Sequence, residues 1–382
     1  MFVSLIGTWI QSVAQSWLVF DLTRSAFLLG VVGFLSSIPL FLLSLFGGVL
    51  ADRMNKRNIL IATQTAFMLL AFLLAVLTQF KWITPAEIMV IALLNGAVMA
   101  FDAPSRQAVV VELVGKKNLF NAIALNSVAF NSSRIIGPAL AALLVAWIGM
   151  SGCFYINGIS FLAVLLPLFL IKLNDRETTG KASHPLQDLK EGLRYIKNNP
   201  TVLLLLAMVG VVSLFGVSYI ILMPVFANDI LKAGVKGLGV LMSSAGLGAC
   251  VGALILARLG DFPNKGRFLM ACMMTFSVSL ILFSLSRIYL LSIIALIFIG
   301  WSSVSAVALI NTLLQTSVPD PFRGRVMSVF LLTFAGMTPF GNLIAGTLAQ
   351  GFGVPSAVMA SGVICLAAFI LIPMKYPGVL KI

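Results

Sequence analysis

Apolar runs separated by short charged gaps leave this chain few ways to fold. They lie near 2–20, 27–51, 58–80, 84–101, 119–148, 153–171, 201–227, 236–257, 268–286, 288–313, 326–350 and 354–374. A helix needs about 17–25 residues to cross a bilayer core roughly 30 Å thick. With 60% hydrophobic and only 10% charged residues, against about 25% charged in a globular domain, no soluble core could hide this surface. Lipid must be the solvent, and spanning backbone must then satisfy its own hydrogen bonds within helices. The expected fold class is therefore all-α integral membrane, with twelve transmembrane helices. The first run spans about 28 Å at 1.5 Å per residue, so a trimmed start or a short first helix is expected. Asp21-Leu22-Thr23-Arg24 comes after it without a small-residue cleavage pattern, so no cleavable signal peptide is expected.

The net charge of +13 could suggest nucleic acid, but in a membrane protein basic residues collect in cytoplasmic loops. Of the 25 Lys and Arg, 19 fall after even-numbered runs or at the C-terminus. Five (Arg24, Lys81, Lys232, Lys236, Arg287) fall after odd-numbered runs, and Arg134 lies inside the fifth. Both termini and the charged loops are therefore expected in the cytoplasm, with no nucleic-acid partner. Cys153, Cys250, Cys272 and Cys365 all sit in apolar runs without close pairing and read as small core residues. His184 reads as a solvated loop residue. No phosphate-cradling Gly-x-x-x-x-Gly-Lys-Ser/Thr is present, so ATP is not expected as the direct energy source; no cofactor is expected, and a proton gradient is the expected energy source.

The longest polar segment divides the chain into 1–172, a cytoplasmic linker 173–200, and 201–382. Within the linker, Leu186, Leu189, Leu193 and Ile196 share one helical face, the pattern of an amphipathic helix on the inner membrane surface. The two flanking parts form a repeat. Shifted by 204 residues, Gly30, Gly33, Gly48, Gly96, Gly137, Gly149 and Gly158 fall on Gly234, Gly237, Gly252, Gly300, Gly341, Gly353 and Gly362. Composition alone would match about one. A constant offset through several loops implies duplication of a six-helix unit. An even helix number makes the copies parallel repeats, with the substrate path expected between them.

Gly48-x-x-x-Asp52-Arg53-x-x-Lys56-Arg57 resembles the loop motif of the major facilitator superfamily, and the resemblance covers essentially the whole chain. Three further stretches are similar to the branch that contains enterobactin exporters and macrolide-efflux proteins. They are Asp102-Ala103-Pro104-Ser105-Arg106-Gln107-Ala108, Asn121-Ala122-Ile123-Ala124-Leu125-Asn126-Ser127 and Arg134-Ile135-Ile136-Gly137-Pro138-Ala139-Leu140-Ala141. The resemblance implies the major facilitator fold, no enzymatic activity, a bacterial inner-membrane address and a monomer. In the second half the position of Asp52 is taken by Leu256, and Arg258 leads the charges.

These stretches supply the candidate residues. A gate is expected at Gly48, Asp52, Arg53, Lys56 and Arg57, with Arg106 and Arg258; Asp52 could cap a helix N-terminus or pair with Arg106. A charge in mid-membrane costs at least about 2.5–3.5 kcal/mol unless it faces a cavity or a partner, so Arg134 is expected to point inward. Asp21 and Asp102 are the candidate acids for it, and the three together are the candidates for proton coupling or substrate contact. Ser133, Gly137 and Ala141 repeat every four residues, a close-packing stripe. Gly137-Pro138 also resembles the helix-5 motif of antiporters in the superfamily. Gln11, Gln15, Asn95, Asn131, Tyr219 and Asn311 are polar groups in an apolar setting, suited to lining a site for an amphipathic ligand.

The expected function is secondary active export of a small amphipathic compound, siderophore- or drug-like, by proton antiport with alternating access. The alternative is a proton-coupled or facilitative importer. A lipid-modifying membrane enzyme would need clustered His, Asp or Cys near one interface. A non-transporting scaffold would leave Arg134 and the repeat unexplained.

Overall fold

The computed structural model describes residues 1–170, 185–260, 262–376 and 378, and every regular element among them is a helix. In order they are α1 (Phe2–Thr23), α2 (Ala26–Arg53), α3 (Lys56–Gln79), α4 (Pro85–Ser160), α5 (Leu162–Leu170), α6 (Pro185–Asn198), α7 (Pro200–Val211), α8 (Tyr219–Val225), α9 (Gly234–Leu259), α10 (Lys265–Leu285), α11 (Tyr289–Ser317), α12 (Asp320–Phe352) and α13 (Val354–Lys375). Among the described residues ten spans are long and apolar enough to cross a membrane. One of them, Leu125–Leu170, has 46 residues, enough for two crossings. Counting it as two and adding the more polar α1 gives the twelve expected.

Helix ends obey local chemistry. Asn55 caps α3, its side chain accepting from the backbone of Arg57 and Asn58. Glu87 reaches back to the Thr84 backbone N–H at 2.8 Å to start α4, with Pro85 in the first turn, where no N–H is needed. α4 is 76 residues long, about 114 Å at the usual rise and far beyond one bilayer. It is divided at Gly115 (φ 65°, ψ 170°) and Gly149 (φ 74°, ψ 179°), a positive-φ conformation open to glycine and essentially closed to other residues. The expected loop 102–118 is therefore mostly helical, since polar side chains at a helix end are compatible with continued helix and only Gly115 forces a break. Between α7 and α8, and again after α8, Val212–Gly216 and Phe226–Ile230 adopt wide π turns, a distortion frequent near functional sites.

The chain divides into two compact units, Met1–Ala182 with Gly234–Ser243, and Ser183–Ala233 with Ser244–Ile382. In the first, Val13 and Ala14 of α1, Leu74 and Ala75 of α3, Ile88 and Ile91 of α4, and Phe154 are buried to 2% exposure or less. In the second, Leu205, Met208, Phe226, Leu269, Phe276, Phe283 and Leu296 play that part. Phe226 packs against Phe283 with ring centres 4.4 Å apart and planes tilted by 33°, and Tyr219 meets the same ring edge-on. Large apolar side chains such as Leu166, Trp147 and Leu331 stand outward, as a lipid-bathed exterior requires. Phe80 and Trp82 stack in the short turn between α3 and α4, where interfacial aromatics gather.

Three of the repeated glycine pairs are close-approach points of their units. A β-carbon at Gly96 of α4 would strike the Ser36 carbonyl of α2, and one at Gly300 of α11 the Ala245 carbonyl of α9. Gly137 of α4 sits on the Trp9 β-carbon of α1, and Gly341 of α12 on the Leu214 carbonyl, just after α7. Gly158 abuts Phe72 of α3, and Gly362 abuts Ile281 of α10. Gly149 and Gly353 are both turn glycines with positive φ. Equivalent helices meet at equivalent glycines, the structural signature of duplication. Gly300→Ala is expected to destabilise by about 1–3 kcal/mol through forced helix separation. Gly48→Ala, with nothing within 4 Å of the added carbon, should leave the thermal melt in detergent unchanged or slightly raised.

Candidate functional site

A buried polar cluster joins α3 and α4. Asp102 is fully buried. Its Oδ1 accepts from Thr63 Oγ1 at 2.9 Å and Gln64 Nε2 at 2.7 Å. Its Oδ2 accepts from Arg106 Nε at 3.0 Å and Nη2 at 2.6 Å. Asp102 and Arg106 meet because residues four apart share a helix face, and four donors on two oxygens suit an acceptor-only carboxylate. Pro104 lies between them. Lacking an N–H, it leaves the Ala100 carbonyl without its helical partner, and Gly47 of α2 packs directly on that carbonyl. Gln64 Oε1 and Ser105 Oγ nearby in the sequence are buried without partners.

Beyond this cluster, toward the charged loops, Lys56 pairs with Glu112. Arg57 donates to the carbonyl oxygens of Leu168 at 2.6 Å and Phe169 at 2.9 Å. It thereby ties the start of α3 to the backbone of α5. Arg57→Ala is expected to cost about 1.5–3 kcal/mol, the range for charge-assisted hydrogen bonds. Lys56→Gln should cost under about 1 kcal/mol, because that pair is partly exposed. Melts of the two variants in one detergent would check the ranking.

The gate expected from sequence divides accordingly. Lys56, Arg57 and Arg106 are engaged within the first unit, Gly48 has open space around it, and Arg258 is exposed in the last turn of α9. The side chains of Asp52 and Arg53 lie outside the described residues. The expected pairing of Asp52 with Arg106 therefore falls on a side chain outside the described residues, and the described partner of Arg106 is Asp102. Asp21, the other acid considered for Arg134, pairs with Arg24 at 2.9 Å. Both acids are thus taken by neighbours three or four residues along the chain, where local geometry favours them. Arg134, half-buried in mid-span, has no hydrogen bond or ion pair among the described residues.

The remaining candidates are spread over several helices. Gln11 accepts from Asn157 Nδ2 at 2.7 Å, and Gln15 is half-buried a turn later. Asn95 and Asn131 donate to the carbonyls four residues back, of Ile91 and Ser127. Asn311 accepts from Gln315 at 2.6 Å, and Tyr219 is buried beside Phe283. In the stripe, Ser133 and Ala141 are fully buried, Pro138 is buried, and Gly239, within the first unit, packs on the Pro138 carbonyl and Ala142. Ser243 Oγ donates to the Ile135 carbonyl at 2.8 Å.

Sequence reasoning missed Thr63, Gln64, Glu112 and Asn157. Thr63-Gln64 was findable as a polar pair within the third apolar run.

The chain matches the family described as transmembrane secretion effector over residues 1–379. It is similar to a staphyloferrin A transporter of Staphylococcus aureus (27% identical, covering 96% of this chain and 92% of that protein). It is also similar to the enterobactin exporter EntS of Shigella boydii (24%, 94% and 85%) and to the multidrug efflux pump Tap of Mycolicibacterium fortuitum (24%, 93% and 88%). Among solved structures it resembles a bacterial homologue of the human lysosomal transporter Spinster, inward-facing and occupied (TM-score 0.76, 14% identical, 99% of this chain and 96% of that one). It also resembles the nucleoside transporter NupG (TM-score 0.71, 13%, 100% and 98%). At these identities the structures speak for the fold alone.

Proposed function

Because the chain belongs to the transmembrane secretion effector family of major-facilitator transporters, we propose that it exports a small amphipathic compound, siderophore- or drug-like, by proton antiport with alternating access. The carrying observation is that three relatives, matched over at least 93% of this chain, are named as a siderophore transporter, a siderophore exporter and a drug efflux pump. No cofactor enters the reading, and the proton gradient is the energy source. The basic loops and both termini face the cytoplasm of a bacterial inner membrane, by the positive-inside rule, and the working unit is a monomer.

Within this reading Arg134 serves the cargo or the proton cycle. A cation at membrane depth is costly without a partner, and the nearest acids by sequence logic are spent on Arg24 and Arg106. Asp102 serves as a fixed tie between α3 and α4 while Arg106 remains on it. Arg57 and Lys56 hold the charged-loop ends of α3, α4 and α5 together, and Asp52, Arg53 and Arg258 complete the proposed gate.

The test is restoration of secretion. Cells that synthesise enterobactin or staphyloferrin A but lack their own exporter would receive this chain, and the culture medium would be assayed for each compound. Efflux dyes would cover the drug-like case. Secretion of one class supports the reading. Enhanced cellular accumulation of an added compound would reverse the direction and favour an importer.

A further inference from the structure

The helix α6 is clamped on one side and basic on the other. Its clamped side lies against the start of α12. Glu191 Oε2 meets Arg325 Nη1 at 2.8 Å, Tyr195 stacks on Phe322 at 4.6 Å and 14°, the Arg325 guanidinium lies over the same Phe322 ring, Gly192 admits the Arg325 side chain closely, and Ile196 is 4% exposed. Its other side carries Lys190, Arg194 and Lys197, all exposed, with Leu193 50% exposed beside them. At 100° per residue the three bases fall within about 60° of one another and Leu193 borders them. α6 carries two acids, Asp188 and Glu191, and Glu191 is on the clamped side and paired.

The helix that comes next sets the position of this stripe. Asn199 alone separates α6 from α7, with an extended backbone (φ −121°, ψ 96°), and its side chain caps the Val202 N–H. From Pro200 onward the chain is a membrane span. The C-terminal end of α6 is therefore fixed at the lipid–water boundary, within reach of headgroups.

We propose that the exposed face of α6 binds the phosphates of anionic phospholipids, with Leu193 entering the acyl boundary. The clamp to α12 holds the helix while the bases on the free side are drawn to the charged surface. Exposed lysine and arginine side chains extend their stems along apolar surface and place the charge at headgroup level. Each base near an anionic surface is worth about five-fold in binding, so three together give on the order of a hundredfold preference over a neutral bilayer. This inference does not depend on the direction or cargo of transport.

The test uses the full chain reconstituted into bilayers of phosphatidylcholine alone or enriched in phosphatidylglycerol. A nitroxide is placed by Leu193→Cys, with the half-buried Cys250 changed to Ser. Collision of the nitroxide with oxygen and with a water-soluble nickel chelate reports its depth. The expected result is immersion in phosphatidylglycerol bilayers and water exposure in phosphatidylcholine. The Lys190→Gln, Arg194→Gln, Lys197→Gln triple variant should lose the lipid dependence, and Lys190→Arg, Arg194→Lys, Lys197→Arg should keep it. Equal depth in both lipids, or lipid dependence surviving in the Gln variant, would overturn the proposal. So would full displacement by soluble glycerophosphate or a soluble polyanion, which would assign the stripe to a soluble ligand. A Tyr195→Ala variant separates the faces: it should loosen the clamp and leave the phosphatidylglycerol preference intact.

Discussion

Replacing Asp102 by Ala should cost about 3–5 kcal/mol of stability, the range for removing one partner of a buried ion pair. The change strands Arg106, whose guanidinium now sends two hydrogen bonds to Oδ2, and leaves the Gln64 amide without its acceptor, while the Thr63 hydroxyl keeps the Leu60 carbonyl at 3.1 Å. Arg106 is 23% exposed, so part of its charge can reach water and the lower half of that range is the better expectation. The check is a double-mutant comparison in detergent-solubilised protein. Asp102→Asn alone should melt well below wild type, and Asp102→Asn with Arg106→Gln should recover most of the loss, because the second change removes the stranded charge. If the double variant melts as low as the sum of the singles, the pair is not the source of the effect.

Arg134→Gln should do the reverse. Arg134 has no hydrogen bond or ion pair among the described residues, so its removal breaks no described contact and relieves a membrane-depth cation worth about 2.5–3.5 kcal/mol in insertion cost. The variant should melt at or above wild type. Transport should nevertheless fall by roughly ten- to a hundredfold, the equivalent of one charge-assisted hydrogen bond of about 1.5–3 kcal/mol. Arg134→Lys keeps charge but loses the planar fork, and should fall between the two. A variant that loses stability and transport together would place Arg134 in the fold. The Asp102 and Arg134 changes thus separate fold from function within one unit.

The architecture was legible because lipid imposes length and composition on every span. The duplication was legible for a related reason. Where a helix presses on a neighbour's backbone or on a large side chain, glycine leaves the room, and Gly96, Gly137 and Gly158 recur as Gly300, Gly341 and Gly362 at the same helix pairs. The division of α4 was less legible. Polar residues from Asp102 to Glu112 read as a loop, yet polar side chains at the end of a span are compatible with helix, and the break waits for Gly115. The π turns near Ser213 and Asn228 left no periodicity to read.

The candidate site was legible in half. Asp102 and Arg106 stand four apart, and their pairing is a matter of helical spacing alone. Their donors on α3 are not, because which residues of two distant helices face each other depends on packing that no local pattern records. The same holds for Lys56 with Glu112 and Gln11 with Asn157. Arg57 is a sharper case: by sequence it reads as a gate charge, while its partners are backbone carbonyls of α5, which carry no side-chain signature at all.

Export by proton antiport stands or falls on direction and coupling. Everted membrane vesicles containing the chain, loaded with nothing and given a labelled compound whose secretion the chain restores in cells, should accumulate it when the lumen is made acid. The accumulation should collapse on adding a protonophore and be absent with Arg134→Gln. Accumulation that ignores the pH gradient would contradict antiport, and accumulation in right-side-out vesicles instead would contradict export.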